Sequence, residues 1–253
     1  GQTATTRLDP RDAPPGDRLI GLDLSRDGLM AFRARPDDGR WAFDGVPLSD
    51  GAQVYVAMRR GDVTPHAYVA CFDIATGRNL WRTSIGSADT SALGRGNEIS
   101  HNLLTLVGTR IYFNSNLGLI AAIDATDGQI DWLRRYDRLK GIADAPGTPA
   151  LAHFDRDPSP CMYHEGLLLV APSDTAIVFA LDADTGETVW LSDQLADVKH
   201  LLGVAGQNFI VSGNRLRSSD VRSGKTRFVW PESEHAGIRG LGRGVLAGDE
   251  IFW

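Results

Sequence analysis

The chain has 253 residues, of which 42% are hydrophobic and 23% are charged, and this length suits one large all-β domain or two smaller domains. Its net charge of −6 and scattered Lys and Arg residues argue against a nucleic-acid partner, which requires a clustered basic surface. No run approaches 18 consecutive apolar residues, so the sequence predicts no spanning helix and no direct membrane insertion.

A short pattern occurs five times along the chain. Each copy has an apolar run, an Asp, a few small or polar residues, a Gly and then an aromatic residue. The copies occupy residues 19–32, 68–81, 119–132, 178–190 and 217–230. Their Gly residues are separated by 49, 51, 58 and 38 positions, a range that is typical of repeat architectures.

The residues that recur are predicted to form strands and tight turns. The apolar runs are short, β-branched or aromatic, and bounded by turn residues, as strands are. An Asp at the start of a turn accepts hydrogen bonds from backbone N–H groups two or three residues on, and the Gly supplies a positive φ. We therefore assign structural roles to Asp73, Gly77, Trp81, Asp124, Gly128, Trp132, Asp182, Gly186, Trp190, Asp220, Gly224 and Trp230.

Two further apolar segments precede each of the later copies, for example residues 44–50 and 52–58 before the second copy. Each period then holds four short antiparallel strands, which is one propeller blade. The sequence predicts an all-β fold: a β-propeller over residues 19–253 with about five four-stranded blades and a partial blade at 242–253. Residues 1–18 form a polar lead that is either disordered or part of a preceding blade. Two arrangements stay open: the chain ends complete one blade together, or the sequence is part of a longer protein.

The repeat resembles the PQQ-like (quinoprotein alcohol dehydrogenase-like) propeller repeat, in which an Ala-x-Asp-x-x-Thr-Gly-x-x-x-Trp signature closes each blade. The sharpest match is Ala180, Asp182, Thr185, Gly186 and Trp190. The resemblance implies that each Trp docks against the neighbouring blade. Phe32 replaces Trp in the first copy, and in the last copy Phe228 has the regular spacing while Trp230 is displaced by two. We expect looser docking in those two blades.

This family has a dehydrogenase branch and a scaffold branch. The resemblance implies that a dehydrogenase binds the quinone with calcium and uses an adjacent Cys pair, Glu and Asn ligands and a catalytic Asp. Here the two cysteines, Cys71 and Cys161, are 90 residues apart. We therefore favour a non-catalytic scaffold, not an enzyme, with no cofactor and no catalytic or metal residues.

We expect both cysteines to be buried free thiols rather than a disulfide. The resemblance alone places the protein in a bacterial periplasm or cell envelope, or outside the cell.

The first strands of the blades are expected to line a central channel. Six polar residues near the starts of these strands are candidates for a binding site at the channel mouth: Asp44, Glu98, His101, Asn102, His200 and Arg243. The partner would be a protein or a small or polymeric ligand at a propeller face. The alternative is that these residues only hydrate the channel wall. Two other functions stay open: a PQQ- and calcium-binding dehydrogenase, and a polysaccharide- or peptide-binding propeller with exposed aromatics such as Trp41 or Tyr136.

Overall fold

A computed structural model describes residues 18–61, 64, 66–88, 103–138, 156, 158–195, 197–233, 237, 243–248 and 250–253. The candidates Glu98, His101 and Asn102 and nearly all of the polar lead lie outside these residues. Within the described ranges the only helical segment is a three-residue 3-10 turn, Leu24–Arg26, and no helix is long and apolar enough to cross a bilayer.

The strands form an N-terminal half-sheet, four blades and a C-terminal half-sheet, all with antiparallel pairing. The N-terminal half-sheet contains β1 (Leu19–Asp23) and β2 (Leu29–Ala34). Blade 1 contains β3 (Trp41–Phe43), β4 (Leu48–Ser49), β5 (Gln53–Arg60), β6 (His66–Asp73) and β7 (Asn79–Ser87). Blade 2 contains β8 (Leu104–Val107), β9 (Arg110–Asn114), β10 (Leu119–Asp124) and β11 (Ile130–Arg135). Blade 3 contains β12 (Met162–His164), β13 (Leu167–Val170), β14 (Val178–Asp182) and β15 (Thr188–Ser192). Blade 4 contains β16 (Val198–Ala205), β17 (Asn208–Gly213), β18 (Leu216–Asp220) and β19 (Thr226–Trp230), and the C-terminal half-sheet contains β20 (Val245–Ala247) and β21 (Glu250–Phe252).

The predicted all-β propeller with four-stranded antiparallel blades is confirmed. In blade 1 the first strand is interrupted, because β3 and β4 both pair with β5 and the N–H of Asp44 between them donates to the carbonyl of Ala57 at 2.8 Å. The first strands β4, β8, β12, β16 and β20 contact one another in that order, so they form the inner wall of the channel. The structure places β1–β2 and β20–β21 in separate two-stranded sheets.

The recurrent Asp and Gly residues form the predicted turns. In blade 3, Oδ1 of Asp182 accepts hydrogen bonds from the N–H groups of Asp184 at 3.0 Å and Thr185 at 2.9 Å. The N–H of Gly186 donates to the carbonyl of Asp182 at 2.9 Å, and Gly186 has a φ of +71°. The same pattern occurs at Asp73, Asp124 and Asp220, each followed by a positive-φ Gly. Turn chemistry, not catalysis, accounts for these carboxylates.

Blades 1, 2 and 3 each dock a Trp ring on a turn of the next blade. In blade 2, a β-bulge in the hairpin of β10 and β11 places Trp132 opposite Ala122. The ring then lies on Gly186 of blade 3, where an added Cβ would come within 2.6 Å of the indole, and its Nε1 donates to the carbonyl of Ala183 at 3.0 Å. Equivalent contacts join Trp81 to Gly128 and the carbonyl of Ala125, and Trp190 to Gly224 and the carbonyl of Val221.

The two atypical copies keep this register. Phe32 lies opposite Gly21, is only 8% exposed and packs on Gly77 of blade 1. This docking contact therefore lacks only the hydrogen bond of an indole N–H, because the Phe32 ring itself is buried. Phe228 lies opposite Ser218 in the docking register and is 45% exposed.

The hydrophobic core is divided into layers, each shared by two neighbouring sheets. Ala121 and Ile123 of β10 pack with blade 1, whereas Ile120 and Ala122 of the same strand pack with blade 3. This follows from the period of two in a strand, which sends alternate side chains to opposite faces. Both faces of the blade 2 sheet are therefore buried, which explains the nearly continuous apolar sequence of β10.

A pair of Gly→Ala substitutions separates the docking contact from backbone strain. Gly186→Ala and Gly166→Ala both force a left-handed alanine, which costs about 1–2 kcal/mol. An added Cβ at Gly166 meets nothing within 4 Å, whereas at Gly186 it meets the Trp132 ring. We expect urea unfolding to show a further loss of about 1–3 kcal/mol for Gly186→Ala. Equal losses in the two variants would contradict the docking interpretation.

The turn carboxylates predict a loss of stability in acid. The Thr185 backbone N–H and then its hydroxyl lower the pKa of Asp182 below 3.8. Because the unfolded chain then binds more protons than the folded chain, this stabilisation is present above about pH 4 and is lost as pH falls through the folded pKa. Asp182→Asn keeps an acceptor oxygen but cannot titrate. We expect its free energy of unfolding to fall less between pH 5 and pH 3 than that of the parent, with the exposed Asp193→Asn as control.

Candidate binding site in the central channel

A cavity of about 630 Å³ lies among the first strands of the blades. Its walls come from four sheets: β4 of blade 1, β8 of blade 2, the segment 159–163 of blade 3 and Leu201 of β16. The lining side chains are Leu48, Ser49, Leu104, Thr105, Leu106, Val107, Ser159, Pro160, Cys161, Met162, Tyr163, Leu201 and Arg243. Most of these side chains are apolar, so the cavity suits an apolar group better than a strongly hydrated one.

Two features give this cavity polar and aromatic character. Arg243, the exposed residue two positions before β20, is the charged residue in the lining. Tyr163 is 40% exposed, and its ring stacks on that of Tyr112 in blade 2 with centroids 6.3 Å apart. A partly exposed ring that is already held by stacking can cover an apolar ligand with little further ordering.

The structure brings one of the predicted channel residues to the cavity. Arg243 is part of the lining. Asp44 instead forms an ion pair with Arg59 of β5 at 3.0 Å and is not part of the lining. His200 is half-buried on β16 beside the lining residue Leu201 but does not line the cavity. The predicted cluster of polar groups is therefore not formed by Asp44 and His200.

A polar network that the sequence analysis did not predict joins the loops of blades 2 and 3. Asp174, in the loop between β13 and β14, accepts hydrogen bonds from the hydroxyl of Tyr136 at 2.6 Å and from Nε of Arg138 at 2.8 Å. It also accepts from the N–H of Gly118 at 3.1 Å. Burial, followed by the Asp174 carboxylate, raises the pKa of Tyr136 well above 10, so the phenol remains a hydrogen-bond donor.

Arg156 is a second buried group that the pattern analysis missed. Its side chain is 3% exposed and donates to the carbonyls of Val198 at 2.7 Å, Pro172 at 3.0 Å and Thr175 at 3.1 Å. Burial lowers the pKa of Arg156 to about 10, which still leaves the guanidinium charged at neutral pH. The residue joins the loops of blade 3 to the first strand of blade 4. Because its acceptors are backbone carbonyls, no side-chain motif could reveal this role.

The aromatic pair on which carbohydrate binding would depend is engaged in protein contacts. Trp41 is half-buried, with its ring 4.6 Å from that of Tyr68 and the guanidinium of Arg82 at 4.3 Å. Tyr136 is also half-buried and bonded to Asp174. These two rings do not form an exposed stacking platform, so the specific reason for proposing a polysaccharide ligand is lost.

The described side chains do not fit a quinone–calcium site. Cys71 and Cys161 are buried and unpaired in different blades, so they cannot form an adjacent pair. No group of three or more His, Cys, Asp and Glu side chains could hold a metal ion within the described ranges. The recurrent carboxylates are occupied by turn hydrogen bonds. We therefore derive no chemistry through such a cofactor.

Four-stranded blades, aromatic rings docked on successive turns and a channel lined by first strands define a β-propeller of the PQQ-like repeat class. Comparison with known proteins then identifies the family. The chain belongs to the family described as outer membrane protein assembly factor BamB, whose profile matches residues 21–156 and 150–253.

Individual relatives are distant. Outer membrane protein assembly factor BamB of Burkholderia pseudomallei is 22% identical over 206 residues, which cover 76% of this chain and 49% of the relative. The structure of BamB from Moraxella catarrhalis has a TM-score of 0.53 at 18% identity, over 84% of this chain and 55% of that chain. A quinohemoprotein alcohol dehydrogenase from Pseudomonas putida has a TM-score of 0.51 at 13% identity, over 83% of this chain and 36% of that chain. The chain spans about half the length of the curated relatives it matches, and the structural likenesses show the fold alone.

The burial of both thiols predicts low reactivity. Burial raises the pKa of Cys71 to about 12 and raises the pKa of Cys161 further above its ordinary value. Because the thiolate is the reacting form, we expect Ellman's reagent at pH 8 to modify neither thiol in the folded protein. In guanidinium chloride without reductant, both cysteines should react. If the unfolded protein did not react with the reagent until it had been reduced, the two cysteines would form a disulfide instead.

Proposed function

We propose that this chain is a non-catalytic binding scaffold of the bacterial cell envelope, whose central cavity holds an apolar segment of a protein partner. The observation that carries the proposal is the lining of the cavity. It is mainly aliphatic and is bordered by the half-exposed ring of Tyr163 and the guanidinium of Arg243. Protein interfaces are built from such groups, with an apolar centre, aromatic anchors and Arg near the edge.

The polar residues of the chain support binding over catalysis. The thiol of Cys161 is the strongest potential nucleophile in the lining, and burial raises its pKa and disfavours the thiolate. The hydroxyl of Thr105 donates to the carbonyl of Cys161 at 2.5 Å. This hydrogen bond joins blades 2 and 3 in the wall of the cavity. The carboxylates that recur are used in turns. These groups stabilise the scaffold.

The cellular setting in the proposal comes from the family. The named relatives are outer membrane protein assembly factors, and a scaffold of the same family would act on proteins of the envelope. A protein partner also suits the acidic chain better than nucleic acid does, because its net charge is −6. Since the relatives are about twice as long, their complete activities are not transferred to this chain.

Site-specific photo-crosslinking tests the cavity as a protein-binding site. A benzoylphenylalanine at Tyr163, expressed in the periplasm of a Gram-negative host, should give crosslinked protein adducts after irradiation. The matched control places the same group at Leu80, which is 38% exposed on the outer strand β7. Arg243→Glu should reduce the yield at position 163, because a rim cation would become an anion. Absence of adducts at position 163, or equal adducts at position 80, would contradict the proposal.

The competing dehydrogenase function is separated by a direct titration. We expect pyrroloquinoline quinone with CaCl₂ to leave the melting temperature and the quinone absorbance spectrum unchanged. The fold likeness to a quinohemoprotein alcohol dehydrogenase is the observation that motivates this measurement. A saturable rise in melting temperature with a spectral shift would overturn the non-catalytic assignment.

A further inference from the structure

We propose that the outer groove between blades 2 and 3 is a second binding site, which takes an extended peptide with a large apolar side chain next to acidic residues. This groove is lined by other residues than the central cavity, and the two sites can be tested separately. We define the outer groove by its lining residues, which are Arg134, Arg135, Tyr136, Asp137, Thr175, Ile177, Phe179, Leu181, Thr188 and Leu191.

The interface that holds the groove differs from the other two at one repeated position. In blade 1 the residue two places after the docking Trp is Thr83, whose hydroxyl donates to the carbonyl of Gly128 of blade 2 at 2.6 Å. In blade 3 the corresponding residue is Ser192, which is 9% exposed. Blade 2 has Arg134 at this position, and its long side chain reaches Thr188 of blade 3 at 2.8 Å. A cleft of about 220 Å³ lies at this interface, beside the long side chain.

One wall of the outer groove is apolar and exposed. Leu191 is 63% exposed, although its pairing partner in the sheet, Phe179, is 2% exposed. Both residues line the groove, together with Ile177 and the buried Leu181. An apolar side chain placed in the cleft would cover Leu191 and contact Phe179. Covering such a side chain contributes about 1.5–3 kcal/mol.

The other wall is basic in a chain that is acidic overall. Arg134 and Arg135 are both exposed, whereas Asp137 is the carboxylate of the lining and lies at the end of the β11 wall. The hydrogen bond from Arg134 to Thr188 uses one of the five N–H donors of a guanidinium. Because side chains alternate along β11, Arg134 faces blade 3 together with Trp132, and its guanidinium beside the apolar cleft complements a carboxylate that flanks an apolar side chain.

The size and position of the groove favour a peptide over a small molecule. Sites for drug-sized molecules measure about 300–1,000 Å³, whereas this cleft is smaller and fits about one large side chain. Within the described structure β15 pairs only with β14, so an extended segment can lie along its outer side. In such recognition the peptide backbone follows the strand and alternate side chains enter pockets.

Fluorescence anisotropy with a defined probe tests the assignment. The probe is the fluorescein-labelled peptide Gly-Ser-Glu-Leu-Phe-Asp-Glu-Leu-Ser-Gly, and its matched control replaces each acid by the corresponding amide. We expect the acidic peptide to bind about twofold to fivefold more tightly at low salt, as one exposed ion pair would give. This difference should shrink at 0.5 M NaCl, because salt screens exposed charges.

Variants on the two walls identify the binding site on the protein. Leu191→Asp should weaken the acidic peptide at least about tenfold, because it removes the apolar wall and adds a repelling charge. Arg134→Glu should abolish the preference for the acidic peptide. Val189→Asp, at a 46% exposed residue of the same strand that is not part of the lining, should bind normally. Urea unfolding of all three variants checks that each is folded.

Three results would overturn the proposal. The first is no binding of the acidic peptide to the parent at about 1 mM, a concentration that corresponds to only about −4 kcal/mol of binding free energy. The second is equal loss of binding in Leu191→Asp and Val189→Asp. The third is a dimer in sedimentation that Leu191→Asp dissociates, because a second copy of the chain would then occupy the outer groove. Absence of crosslinking at Tyr163 would not affect the proposal for the outer groove, because Tyr163 lines the central cavity.

Discussion

The contact of an aromatic ring with a glycine turn of the next blade is the constraint on which the rest of the structure depends. The glycine is required twice, once for its positive φ and once because the ring occupies the space of a Cβ. The indole N–H then satisfies a carbonyl of that turn, as Trp132 does for Ala183. Since the ring belongs to the outermost strand of one blade and the turn to the next, this contact fixes how far neighbouring sheets splay apart.

The sequence revealed the parts of the fold that depend on local chemistry. Asp182 and Gly186 act within a single turn, so their types and spacing were enough to predict their roles. The cavity was only partly predictable. Arg243, which was selected for its place near the start of a first strand, is part of the cavity lining. Asp44 was selected for the same reason but forms an ion pair with Arg59, fifteen positions away. Arg156 could not be found, because its acceptors are carbonyls from several loops and from the start of β16, which is 42 positions away.

The two candidate sites use one scaffold in different ways. The central cavity is assembled from the first strands of several sheets, and only their joint arrangement creates it. The outer groove lies at the interface where the repeat carries Arg134 in place of a small hydroxyl residue. A repeated architecture can therefore gain a local binding surface without changing its hydrogen-bonded framework. In such an architecture, fold and function are set by different residues.

The shared core layers have a consequence for how such a chain can be divided. One period of sequence encodes one blade, but one layer of buried side chains is made by the facing sides of two blades, as Ile120 and Phe179 illustrate. The sequence repeat, which is one blade, and the buried layer, which is two facing halves of neighbouring blades, are therefore offset by half a repeat. Duplication of a whole blade adds one face of each kind and keeps every layer matched. Excision of one repeat for study would leave both faces of its sheet bare, so the smallest piece with an intact interior layer is a pair of consecutive blades.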